Sequence, residues 1–127
     1  MSARIDLGPQ GFLYPMPMTL IGADLPGGPN FMPVAWINRV QYNPPRVAAG
    51  IGKPHATNAG IREHGEFSVN VPCVEMVTVT DWCGIKSAGN GVSKGAQFEV
   101  GGGAAWRHSG PLASGILGRA ACLRGEP

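Results

Sequence analysis

Ionisable residues are scarce in this chain. Ten Lys and Arg stand against eight Asp and Glu, 14% of 127 residues, which leaves a formal net charge of +2. So small an excess gives no field to steer nucleic acid, and no run of Lys or Arg forms a basic stripe. Lys53, Lys86 and Lys94 are isolated from one another, as a local anion site requires. The acids are scattered too, so spacing places neither a carboxylate pair nor a Ser-His-Asp triad. Cys73, Cys83 and Cys122 are an odd, irregularly spaced set with no CxxC pair, so no disulfide framework can be read from them. His55 and His64 lie nine apart and the first two Cys ten apart, matching no zinc-ligand spacing. No stretch approaches the ~20 apolar residues of a membrane span, and MSARIDLGPQGF has no signal-peptide h-region. A reduced cytoplasmic compartment is the expectation.

What the chain does have is 43% hydrophobic content, 20 Gly and 12 Pro. That predicts one domain with a real core, many turns and little long helix. Thr19–Asp24 reads as a strand ending at the turn Pro26-Gly27-Gly28-Pro29. Phe31–Val40 reads as one long strand with Met32, Val34 and Trp36 on one face and Pro33, Ala35 and Ile37 on the other. Pro33, lacking an amide proton, marks irregularity or a sheet edge. After Asn43-Pro44-Pro45 comes a strand at Arg46–Ile51. A short helix over Ala56–His64 stops at Gly65, and Phe67–Val71 alternates as a strand. Val74–Trp82 predicts a second helix, Gly84–Gly91 a loop, and Ser93–Val100 a further helix or strand. Steps such as Val40 to Arg46 are too short for crossover helices, so the sheet is expected to be antiparallel or mixed and the fold mainly β with short helices.

Lys53-Pro54-His55-Ala56-Thr57-Asn58 combines a helix start, a hydroxyl and a cation, a combination that attracts a phosphate monoester. The alternative is that Thr57 or His55 simply caps a surface helix while Lys53 is solvated. Gly50-x-Gly52-Lys53 is not a P-loop, because it lacks the following Ser/Thr and the six-residue frame. Cys83-Gly84-Ile85-Lys86-Ser87 is a second basic and hydroxyl group; its Lys86 is otherwise an exposed loop charge and its Cys83 a small buried hydrophobe. Nothing nearby in sequence activates Cys83 as a nucleophile. Met32, Val34 and Trp36 either floor an aromatic ring or form ordinary core.

Five ordered pieces carry a resemblance: N-x-M-x-V-x-W (Asn30–Trp36), N-P-P (Asn43–Pro45), K-x-x-x-T-x-x-x-I from Lys53, G-E-F-x-V-N-x-P (Gly65–Pro72) and D-x-C-G-x-K-S (Asp81–Ser87). Together they resemble the flavin reductase-like family of FMN-binding split barrels, in particular its flavoredoxin-like branch, from about Tyr14 to Ser87. The resemblance implies a split β-barrel and FMN, less often FAD, at a homodimer interface. It implies electron transfer between flavin and NAD(P)H or a redox partner, with no catalytic side chain required because the flavin performs the chemistry. Met32, Pro33, Val34, Ala35 and Trp36 would lie along the isoalloxazine ring. Lys53, His55, Thr57 and Asn58 would face the phosphate, and Cys83, Gly84, Lys86 and Ser87 would complete the pocket. Relatives often carry Thr or Ser where this chain has Pro33 and Ala35.

Gly101–Pro127 differs in kind. It is nearly all Gly, Ala, Arg, Ser, Leu and Pro, with neither strand alternation nor helical period, and is expected to be a tail read out of frame from near Val100. Residues 1–100 would then be the N-terminal part of the flavin domain, incomplete at its C-terminus. Three functions stay open: an FMN-dependent oxidoreductase, a non-enzymatic flavin or electron carrier, and a truncated inactive fragment.

Overall fold

The computed structural model describes residues 14–98 and the strand segments 106–108 and 116–117. Apart from those two segments, the Gly101–Pro127 tail lies outside the described residues. The fold is mainly β with short helices. Strands β1 (Thr19–Leu25) and β2 (Gly28–Val34) form a hairpin closed by Pro26-Gly27, with Thr19 opposite Val34 and Leu25 opposite Gly28. Strands β3 (Ile37–Gln41) and β4 (Arg46–Ala49) form a second antiparallel pair, and β5 (Glu66–Asn70) pairs with β1. Strand β6 (Trp106–His108) joins β5, and β7 (Ile116–Leu117) bridges β6 to β4. The order is therefore β2-β1-β5-β6-β7-β4-β3.

This order has a geometric consequence. The two ends of the sheet, β2 and β3, are consecutive in the chain and separated only by Ala35 and Trp36. A sheet whose ends are tied by so short a link must curl until its edges approach, a course that the natural twist of strands favours. No ladder joins β2 to β3 among the described residues, so the barrel is split along that line.

The single strand expected over Phe31–Val40 is thus two strands. The chain breaks at Ala35–Trp36, where the Ile37 amide donates to the Ala35 carbonyl at 2.9 Å and the Gly50 amide to the Trp36 carbonyl at 2.8 Å. Helix α1 (Ala56–His64) has the expected bounds and ends on Gly65 in the left-handed conformation (φ 69°), which glycine adopts without penalty. Helix α2 (Val77–Ile85) is preceded by a 3-10 turn at Val74–Met76 and runs through Gly84, where the sequence suggests a loop. Residues 93–98 hold only a 3-10 turn, Gly95–Gln97.

Strand β1 is buried on both faces, so each face has its own core. Ile21 and Ala23 point toward α1, packing with Ile61, Phe67, Val69, Val34 and Ile37. Leu20 points to the other face, among Phe31, Met76 and Cys83, with Trp82 and Phe98 packed alongside. The Phe31 and Phe98 rings are 4.6 Å apart at 55°, a favourable tilted contact. Thr19 and Asn70, both buried in this region, are satisfied: Thr19 Oγ1 donates to the Val34 carbonyl (2.7 Å) and Asn70 Nδ2 to the Leu20 carbonyl (3.0 Å).

Candidate functional site

The α1 and α2 layers both reach the outer edge of β2, and between them lies a cleft of about 520 Å³. One wall is the last part of β2 and its link to β3: Met32, Pro33, Val34, Ala35 and Trp36. A second wall is Gly50, Gly52 and the start of α1, with His55, Ala56 and Thr57. The third is the C-terminal end of α2 and the turn after it, from Cys83 through Ala88, together with Lys94. An edge strand presents backbone N–H and C=O groups without sheet partners, so this cleft offers main-chain donors and acceptors beside apolar side chains.

The wall residues differ in burial. Val34 is in the core and Met32 half-buried, while Trp36 is 63% exposed at the cleft mouth. All three line the cleft, Met32 packs against the same core cluster as Val34, and Trp36 lies past the break in the strand at Ala35. Gly84 brings α2 against this wall: a Cβ there would sit 3.1 Å from Pro33 Cγ. Pro33 and Gly84 are therefore packed as a pair, in a position where a hydroxyl-bearing residue would present a polar atom instead.

At the start of α1, His55 is the N-cap residue and makes no side-chain cap bond. Thr57 does not cap the helix either. It is buried and its Oγ1 accepts from Asn30 Nδ2 at 2.7 Å, tying the first turn of α1 to β2. The cap alternative for Thr57 is therefore not the arrangement found. With Nδ2 committed, Asn30 Oδ1 is a buried acceptor with no partner among the described residues, and Asn30 lines the cleft. A buried orphan of this kind is costly unless a donor reaches it.

Two expected residues stand outside the cleft lining. Lys53 is exposed on the turn before α1. Asn58 follows Thr57 by one residue, a rotation of about 100° around the helix axis. Its Nδ2 donates to the Ile51 carbonyl (3.2 Å) and its Oδ1 accepts from Arg62 Nε (2.8 Å). Lys86 and Ser87 do line the cleft and are exposed; Ser87 Oγ also accepts from the Gly89 amide at 3.2 Å. Ala56 and Ile85 fall inside the two segments that the sequence reading points to, whereas Asn30, Gly50, Gly52, Ala88 and Lys94 are additions that it does not place there. Asn30 opens the first of the five motifs, which is the one signal for it; burial of Lys94 leaves no mark in local sequence.

Cys83 is almost fully buried. Burial pushes its thiol above the usual range, and the nearby Lys94 cation offsets this only in part. The thiolate is thus rare at neutral pH. Cys73 is exposed. Peptide mapping after iodoacetamide treatment at neutral pH is expected to show Cys73 labelled at least about tenfold faster than Cys83. Equal rates would contradict the burial. Among the described residues no cluster of His, Cys, Asp or Glu could hold a metal ion, and no helix is long and apolar enough to cross a membrane.

A family model described as the flavin reductase like domain matches residues 12–123. The chain belongs to the flavin reductase-like family. The match continues past Val100 across most of the Gly/Ala/Arg-rich segment. The structure of flavoredoxin from Methanosarcina acetivorans superposes with a TM-score of 0.79 at 34% identity, covering 98% of this chain and 76% of that one. This places the chain on the flavoredoxin side of the family. An FMN-binding protein from Thermus thermophilus, solved with bound 1-cyclohex-2-enone, shares the fold (TM-score 0.72, 16% identity, 94% of this chain and 78% of that one). An uncharacterized protein of Archaeoglobus fulgidus is 33% identical over 66 residues, 52% of this chain; the match spans only 37% of that relative's length.

Proposed function

We propose that this family member binds FMN in the cleft along β2 and works as an oxidoreductase of the flavoredoxin type, passing electrons between the flavin and NAD(P)H or a redox partner. The observation that carries this reading is the division of the cleft. Its Pro33–Trp36 end is apolar and flanked by open strand edge, as a flat heterocycle needs. Its other end holds the orphaned Asn30 Oδ1 and the first turn of α1, tied to Asn30 through Thr57, and Lys86 and Lys94 also line the cleft. Asn30 and Val34 are four residues apart on β2, or roughly 13 Å. A ligand with a ring at one end, hydroxyls between and an anion at the other matches that sequence of surroundings, and FMN is such a ligand.

Each wall has a task in this reading. Met32 through Trp36 support the ring, and Gly84 and Cys83 bound it from the α2 side. Asn30 Oδ1 takes a hydroxyl donor. The α1 terminus at His55–Thr57, with Lys86 and Ser87 opposite, favours the phosphate through amide dipoles and charge. Bound flavin supplies the hydride and electron chemistry, so the protein's part is to hold, orient and shield it. A homodimer goes with this reading, with Trp36 and Ile85 as exposed apolar residues at the cleft mouth for a second subunit to cover.

Purified full-length protein is expected to be yellow, or to become so with added FMN, and to release FMN on denaturation. NAD(P)H oxidation with an added acceptor then separates an oxidoreductase from a pure electron carrier. A colourless, folded preparation that takes up no FMN would sink both and leave the inactive-fragment reading. Resequencing the locus around Val100 decides whether the out-of-frame reading of Gly101–Pro127 stands against the family match that crosses it.

A further inference from the structure

The cations are unevenly spread. Between Leu25 and Arg62 the chain holds no Asp or Glu, yet Arg39, Arg46, Lys53 and Arg62 all fall there. Four positive charges exceed the +2 of the whole chain, so the remainder is negative on balance. All four side chains are exposed. Arg62 Nε is engaged by Asn58 Oδ1, whereas Arg39 and Arg46 belong to the β3–β4 hairpin and Lys53 follows it after Gly50-Ile51-Gly52. The shape of the hairpin matters as much as its charge. Side chains alternate between the two faces of a strand, so several exposed in succession mean that both faces are open. Asn38, Arg39 and Val40 form such a run, and Tyr42 beyond them is 82% exposed. The far end of the hairpin is therefore a ridge. A nucleotide or other small anion seeks a concavity, but a protein surface can seat a ridge. Its base is the cleft mouth, for the Gly50 amide donates to the Trp36 carbonyl and both residues line the cleft. A partner gripping the hairpin would stand beside the apolar end of the cleft.

We propose that the β3–β4 hairpin is the docking surface for an acidic electron-carrier protein, with Arg39, Arg46 and Lys53 meeting its carboxylates around Val40 and Tyr42. That the partner carries electrons rests on the flavin reading above; that it is acidic rests on the charges of this chain. A second copy of the chain suits the ridge poorly. Hairpin against hairpin about a two-fold axis would set cation against cation. Strand addition at β3 is hindered too, because Val40 bulges out of the ladder between the pairs Arg39–Val47 and Gln41–Arg46. Charge-guided contacts of small area are what transient redox encounters use.

The test is surface plasmon resonance on FMN-loaded full-length protein with two probes of opposite charge, an acidic [2Fe–2S] ferredoxin and a basic cytochrome c. At an ionic strength of about 20 mM the ferredoxin is expected to bind at least about tenfold more tightly than cytochrome c, and about 0.5 M salt to abolish the preference. Arg39→Glu with Arg46→Glu should weaken ferredoxin binding about 10- to 100-fold, and Arg46→Glu alone about tenfold. FMN uptake and the unfolding midpoint should stay unchanged, since both side chains are exposed and outside the cleft. Adding Glu75→Lys, on the turn before α2, to Arg46→Glu restores the net charge and should leave the loss in place. Recovery there would overturn the proposal by making net charge, not the hairpin, the cause. Double-variant protein that binds ferredoxin like the parent would overturn it as well. So would a change in subunit mass by sedimentation, which would make the hairpin a contact between copies. Protein that takes up FMN yet shows no preference for ferredoxin removes this inference alone; protein that takes up no FMN removes the flavin reading, and the electron carrier with it.

Discussion

Gly60→Val is expected to leave a chain with no cooperative unfolding transition, and Gly60→Ala to be clearly destabilised. Gly60 is a buried residue in the middle of α1, where the helix crosses β1. A Cβ at this position would overlap the Asp24 carbonyl oxygen and lie 2.9 Å from Leu25 Cδ2. The oxygen belongs to a paired strand, since Asp24 sits opposite Pro29 in the hairpin, so no side-chain rotation relieves the overlap. Two effects compete in the alanine variant. Helix propensity alone would stabilise it by about 1 kcal/mol, whereas forcing α1 away from β1 costs about 1–3 kcal/mol or more. The backbone clash wins because it also disturbs Ile61, which packs on Ile21 and Ala23. For valine the cost exceeds about 4 kcal/mol, much of a small domain's total stability. Urea unfolding followed by circular dichroism measures both; an alanine variant as stable as the parent would show that the helix does not need this approach.

The second large effect is expected at Phe67. Its side chain is 1% exposed and fills the core between β1, β5 and α1. Phe67→Ala should cost about 3–5 kcal/mol, through lost transfer energy and the cavity left behind. Phe67→Leu retains most of the volume and should lose about half as much or less. The same α1 carries Thr57 to its bond with Asn30. Loosening the core therefore reaches the cleft, and flavin uptake should weaken in the alanine variant before the protein unfolds. Denaturant midpoints with and without FMN would show this as a smaller ligand-induced shift; an unchanged shift would mean that the cleft is insulated from the core.

Parts of this architecture were legible in the sequence because they come from local chemistry. Pro26-Gly27 can only turn, and Gly65 supplies the left-handed residue that ends α1. The lack of room between Val40 and Arg46 rules out a parallel crossover. What could not be read were effects of packing. Alternation runs on through Ala35 and Trp36, so nothing local announces that the chain leaves one edge of the sheet there and enters the other. Gly84 reads as a loop residue, yet stays helical because its missing side chain admits Pro33. Thr57 and Asn58 are equally suited to a helix start; only the position of Asn30, 27 residues earlier, turns one into the cleft wall and leaves the other to bond Ile51 and Arg62. Lys94 is polar by type and buried by circumstance.

The edge position of β2 also bears on how the protein fares in the cell. A terminal strand with unsatisfied main-chain groups is a template on which another polypeptide can add, and proteins usually blunt such templates with charge, proline or a covering element. Pro33 blunts one point here, but a ligand lying lengthwise against Met32–Trp36 would cover the rest, standing where the next strand of the sheet would be. Cofactor occupancy would then guard against aggregation as well as supply chemistry, and flavin-starved cells would lose the protein to clumping rather than merely to inactivity.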